Sequence, residues 1–183
     1  MQTIGHSTLE EYAKLFWERE KLKNGKDGGV NPLERLRVEH PYKLPFGVSD
    51  PEKVIIEIVR LDCIKEVEDL LIHDYMVGHK WMQDRQIIAS SRKLGELATT
   101  FLQGSYFEKP SGDAQYRLFH KWKTVGCLNN SIGSKNRPLI QFDGKEFEIV
   151  DGWGRLLPFL ALVQKGLTFY PVECFVASKK QLS

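Results

Sequence analysis

Hydrophobic and polar positions along the chain divide it into a short helical lead and a longer segment of mixed character. Leu9, Tyr12, Ala13 and Phe16 recur at the three- and four-residue spacing of one helical face, with charged residues on the other. Ser7-Thr8-Leu9-Glu10 reads as a capping box in front of this helix, because the serine hydroxyl can accept a backbone N–H three residues on while the glutamate reaches back. Asn24-Gly25 supplies a C-terminal stop. From Gly25 to Pro51 the pair Gly28-Gly29 and four prolines predict an irregular connector. Residues 1–52 are therefore expected to be an N-terminal helix and connector, and residues 53–183 the main domain.

Val54-Ile55-Ile56-Glu57-Ile58-Val59 is β-branched and almost entirely apolar, the pattern of a central strand covered on both faces. Helical spacing follows over 64–77 and again over 91–103, where Leu94, Leu97, Ala98 and Phe101 point inward and Gly104 lies just past the end. The stretch of aromatic, basic and polar residues at about 104–137 predicts an insertion. Pro138 to Phe142, then Asp143-Gly144, then Lys145 to Val150 predict a hairpin, since Asp-Gly favours a tight turn with positive φ at both central residues. A glycine-rich turn, an apolar helix through about Lys165, Gly166 as its cap and a strand over 169–176 complete a β-β-α-β ending. The expected fold class is α/β of the α+β kind, a mixed sheet with flanking helices.

Composition changes this picture little. Of 183 residues, 42% are hydrophobic and 27% charged, which is ordinary globular usage and excludes a disordered or fibrous chain. The net charge of +2 is too small to require a nucleic acid partner. No window approaches the roughly 18 uncharged apolar residues of a membrane span, and no basic segment leads into an apolar signal core, so no membrane and a cytoplasmic location are expected. Cys63, Cys127 and Cys174 form no CxxC pair, which argues against a zinc site or a disulfide framework. His73 and His79, around Asp74, are six residues apart and fall on different helical faces, a poor metal pattern.

The candidate chemistry lies in Asp151-Gly152-Trp153-Gly154-Arg155. Glycines between a strand and a helix let backbone amides approach an anion, the helix start adds partial positive charge, and Arg155 offers a bidentate fork. Asp151 could bind a metal ion, position the loop or accept a proton. The same residues also describe a plain capping turn, and Trp153 could stack on a base or fill core. A second candidate is the mixture of aromatic and basic residues in the insertion. Arg117, Lys121, Trp122, Lys123, Lys135 and Arg137 could bind DNA or RNA, or form a hydrophobic patch on the sheet edged by cations.

Phe147 to Leu157 resembles the strand, Asp-Gly-x-x-Arg turn and helix of the ParB/sulfiredoxin superfamily. The order of elements is similar as well, from the strand at 54–59 through the helix ending at Gly104 to Pro138-Leu139-Ile140, the hairpin, the helix and Tyr170-Pro171-Val172. The resemblance implies that Gly152, Trp153, Gly154 and Arg155 hold the phosphates of ATP or CTP, with Mg2+ on Asp151. It also implies a catalytic acid near the first strand, Glu66 or Glu68, and a Mg-dependent phosphotransferase or NTP hydrolase; a non-catalytic DNA- or RNA-binding accessory protein is the alternative. Trp153 stands where sulfiredoxin-like members have a reactive cysteine, and only seven residues follow Val176 where partition proteins continue into a helix-turn-helix. Kinases of the superfamily carry histidines inside the turn, which are Trp153 and Gly154 here.

Overall fold

The structure, a computed structural model, describes residues 1–24, 31–47, 50–72, 92–103, 114–125 and 136–180. Its strands are β1 (Gln2–Ser7), β2 (Val54–Leu61), β3 (Leu71–Ile72), β4 (Leu139–Phe142), β5 (Phe147–Asp151) and β6 (Val172–Lys179). The helices are α1 (Leu9–Asn24), α2 (Pro32–Glu39), α3 (Ile64–Glu68), α4 (Leu94–Gln103), α5 (Ala114–Val125) and α6 (Trp153–Gln164). Short 3-10 turns at Pro41–Lys43, Pro45–Gly47 and Pro51–Lys53 join α2 to β2. The strands form one mixed sheet in the order β1-β2-β6-β4-β5-β3.

Alternation along the strands separates two cores. Val59, Leu61, Ile140, Ile149, Cys174 and Val176 face α4, α5 and α6, where Leu97, Phe101, Phe119, Trp122 and Phe159 complete the first. Val54, Ile56, Leu139, Val150, Phe175 and Ala177 face the N-terminal layer, where Leu9, Tyr12, Phe16, Leu33 and Leu36 complete the second. The apolar face expected of α1 is therefore the buried one. No described helix is long and apolar enough to cross a membrane.

The hairpin and the glycine cap of the following helix are both present. β4 and β5 pair antiparallel, and Gly166 (φ 98°) ends α6 with Leu167 N–H donating to the Leu162 carbonyl at 2.9 Å. The hairpin loop is longer than expected. Phe142 pairs with Phe147, and only Gly144 has positive φ; Asp143 Oδ1 instead accepts the N–H groups of Lys145 and Glu146, both at 2.8 Å. The capping box of α1 sits one residue later than expected: Thr8 Oγ1 accepts from Glu11 N–H at 3.1 Å, and Glu11 Oε2 accepts from Thr8 N–H at 3.2 Å.

Three expectations change under tertiary forces. Residues 1–52 hold more than one helix and an irregular connector, because β1 pairs with β2, α2 forms within the expected connector, and α1 and α2 cover one face of the sheet. The helix expected over 64–77 stops at Glu68, and Leu71-Ile72 becomes a strand beside β5. Backbone bonds from Ile72 to Arg92 and from Leu94 to Leu70, both 2.8 Å, hold it there against the local helical spacing. His73 and His79 lie outside the described residues. Within the expected insertion, α5 packs on α6, and its Phe119 and Trp122 are only 2% exposed. It is a structural helix of the first core.

Candidate anion site

The site begins with an irregularity in the hairpin. Ile140 pairs with Ile149, but Leu139 pairs with Asp151, so Val150 is the extra residue of a bulge. Simple alternation would send Asp151 toward the first core, with Ile149. The bulge turns it instead to the side of its partner Leu139, facing α1 and the 41–43 turn.

There the carboxylate meets three cations from three elements. Lys43 Nζ lies 2.8 Å from Asp151 Oδ1, Arg19 Nη2 lies 3.0 Å from Oδ2, and Arg155 Nη2 lies 3.7 Å from the same oxygen. All four side chains are between 11% and 20% exposed. Three cations against one carboxylate leave two positive charges in excess in a largely desolvated place, where charge interactions are stronger than in water. At 3.7 Å Arg155 is beyond hydrogen-bond reach, and its Nε and Nη2 are buried without a hydrogen-bond partner. The buried Tyr12 hydroxyl is also without one.

The electrostatics are consistent with this geometry. Burial pushes the Asp151 carboxyl up, but Lys43, Arg155 and Arg19 together overcome it and hold the group well below the usual carboxylate range. Burial, with a contribution from Asp151, raises the Tyr12 phenol well above its ordinary value. Arg155 is pulled down by burial and partly restored by Asp151, and a guanidinium remains charged throughout.

The glycines of the turn are explained by packing. Gly152 caps α6 at φ 98°, and a β-carbon there would lie 2.9 Å from Pro138 and from Arg155 Nη2. A β-carbon on Gly154 would lie 2.8 Å from Gln115 Nε2 at the start of α5. Trp153 packs against the first core. The sides of the turn expected to cradle phosphate are thus filled by protein, and Arg155 is the residue whose side chain reaches the cationic cluster. Gly152→Ala is expected to cost about 1–2 kcal/mol through its left-handed backbone alone, measurable as a lowered denaturation midpoint with the helical signal retained.

Asp151 does not fit the roles of metal ligand or general base. Both its oxygens face cations, and a divalent ion would join three positive charges; among the described residues no group of three His, Cys, Asp or Glu could hold a metal ion. A carboxylate held so far down also has little affinity for a proton near neutrality. Glu66 closes a capping box on α3, accepting from Asp62 N–H at 2.6 Å and from Cys63 N–H, and it pairs with the Met1 amino group. Glu68 accepts from Gln164 Nε2 at 3.3 Å. Neither shares a partner with Asp151 in these contacts.

The nucleic-acid candidates are not brought together as one surface. Arg117, Lys121 and Lys123 are exposed on α5, but Trp122 lies in the core, where it cannot stack on a base. Arg137 donates from Nε to Glu173 Oε2 at 3.0 Å and lies over the Phe175 ring. Lys135 lies outside the described residues. The residues that sequence reasoning missed are Tyr12, Arg19 and Lys43. Arg19 follows Tyr12 and Phe16 at helical spacing, and a cation continuing an apolar face is a signal for a buried partner.

The fold and site define an α+β protein with a mixed six-stranded sheet and a cation-rich cluster at the β5–α6 junction. Comparison of the chain with family models, curated proteins and solved structures gave no match.

Proposed function

We propose that the chain binds a phosphate-bearing small molecule, a nucleotide, on the cations Arg19, Lys43 and Arg155. The observation that supports this reading is the unbalanced charge: two positive charges in excess around Asp151, with unpaired guanidinium N–H groups beside them. A phosphate dianion would neutralise that excess, and its oxygens suit the planar fork of arginine. The resemblance to the ParB/sulfiredoxin superfamily supports a nucleotide at this strand-to-helix turn. The contacts proposed here differ from the resemblance in coming from side chains of the N-terminal layer as well as from Arg155. Binding is the extent of the proposal, because Asp151 is occupied as the counter-ion and no transfer or hydrolysis step follows from it.

Calorimetric titration with inorganic phosphate and with nucleoside monophosphates tests this reading. Saturable binding that weakens as sodium chloride is raised is expected. Lys43→Met should weaken it about tenfold, a loss of the order of one charge-assisted hydrogen bond. Absence of binding by wild type, or equal binding by the variant, would remove the proposal.

A further inference from the structure

Under the turns that join α2 to β2 is a cavity of about 190 Å³ whose walls include Tyr42, Leu44, Phe46, Gln141 and Val150. Two of its wall residues neighbour the cluster along the chain, since Tyr42 precedes Lys43 and Val150 precedes Asp151. Lys43 Nζ is 5.7 Å from the centre of the Tyr42 ring while also 2.8 Å from Asp151 Oδ1. One lysine therefore borders both the charged and the aromatic part.

The aromatic walls are held in place. His40 Nδ1 lies 2.9 Å from the Tyr42 hydroxyl, and Tyr42 as a whole is 53% exposed. Phe46 has φ 56° and ψ 12°, a left-handed conformation that is costly for a bulky residue and persists only where its surroundings enforce it. Its N–H donates to Gln141 Oε1 at 2.6 Å, and Lys179 Nζ lies over its ring at 5.1 Å. The volume is below the roughly 300 Å³ at which pockets for drug-sized ligands begin, so it suits a single planar ring system.

Building on the proposed phosphate site, we infer that this cavity is the subsite for the heteroaromatic base of the nucleotide, with Tyr42 as the stacking surface. Stacking of a base on an aromatic side chain is tolerant of base identity and contributes about tenfold or more to affinity.

The test compares ribose 5-phosphate with adenosine and cytidine 5′-monophosphates, titrated calorimetrically into wild type and Tyr42→Ala. Wild type should bind the nucleotides about tenfold more tightly than ribose 5-phosphate. Tyr42→Ala should abolish that advantage while keeping the affinity for ribose 5-phosphate. Equal affinities in wild type, an advantage that survives in the variant, or loss of ribose 5-phosphate binding by the variant would each overturn the base subsite while leaving the phosphate site in place. If wild type binds none of the three, both the subsite and the phosphate reading fall.

Discussion

Asp151→Ala is expected to lower the stability of the fold by about 3–5 kcal/mol, the cost of removing one partner from a buried ion cluster. The replacement leaves Arg19, Lys43 and Arg155 facing one another with little exposure to water and no carboxylate between them. For a chain of this length, such a loss lowers the thermal midpoint by roughly 6–20 °C. Asp151→Asn, which keeps the shape and removes the charge, should fall in the same range. The dependence on pH follows from the depressed carboxyl. Its folded pKa is held well below the ordinary 3.8, so its contribution is fully present above the unfolded value and is lost as pH falls below it toward the folded one. Wild type should therefore lose stability below about pH 4, and Asp151→Asn should lose less over the same interval. A variant that melts with wild type at pH 7 would mean that the cluster contributes nothing to the fold.

Arg155→Gln is expected to weaken binding of inorganic phosphate and nucleotides ten- to a hundred-fold, corresponding to about 1.5–3 kcal/mol for hydrogen bonds to a charged group. Glutamine is preferable to alanine because Arg155 is not a simple solvent-exposed side chain of the first turn. It is 20% exposed, and its Nη2 lies 2.9 Å from where a β-carbon on Gly152 would be, so truncation would leave a gap as well as remove a charge. Arg155→Gln should retain the far-ultraviolet circular dichroism of wild type while its phosphate titration flattens. Wild-type affinity in this variant would show that Arg155 serves only to neutralise Asp151.

How much was legible from sequence differs between the fold and the site. β2, the hairpin, the inward face of α4 and the cap at Gly166 follow from hydrophobic period and turn chemistry. β1 and β3 do not, because short strands acquire their stability from the strands beside them. The aromatic and basic residues of 114–125 suggested a binding surface, yet Phe119 and Trp122 share a helical face that the core requires. Composition does not record which face of a helix meets another element.

The sequence by itself determined that a strand leads into the glycine-rich turn beginning at Asp151, that a helix follows this turn, and that Tyr12 and Phe16 line a buried face, since each depends on neighbours within a few residues. Only the tertiary structure decided what Asp151 does. Its partners Arg19 and Lys43 lie 132 and 108 residues away along the chain, and they meet it because the bulge at Val150 turns the carboxylate toward the N-terminal layer. Ion pairing acts through space over a few ångströms, and no local periodicity encodes which distant cation will arrive within that distance.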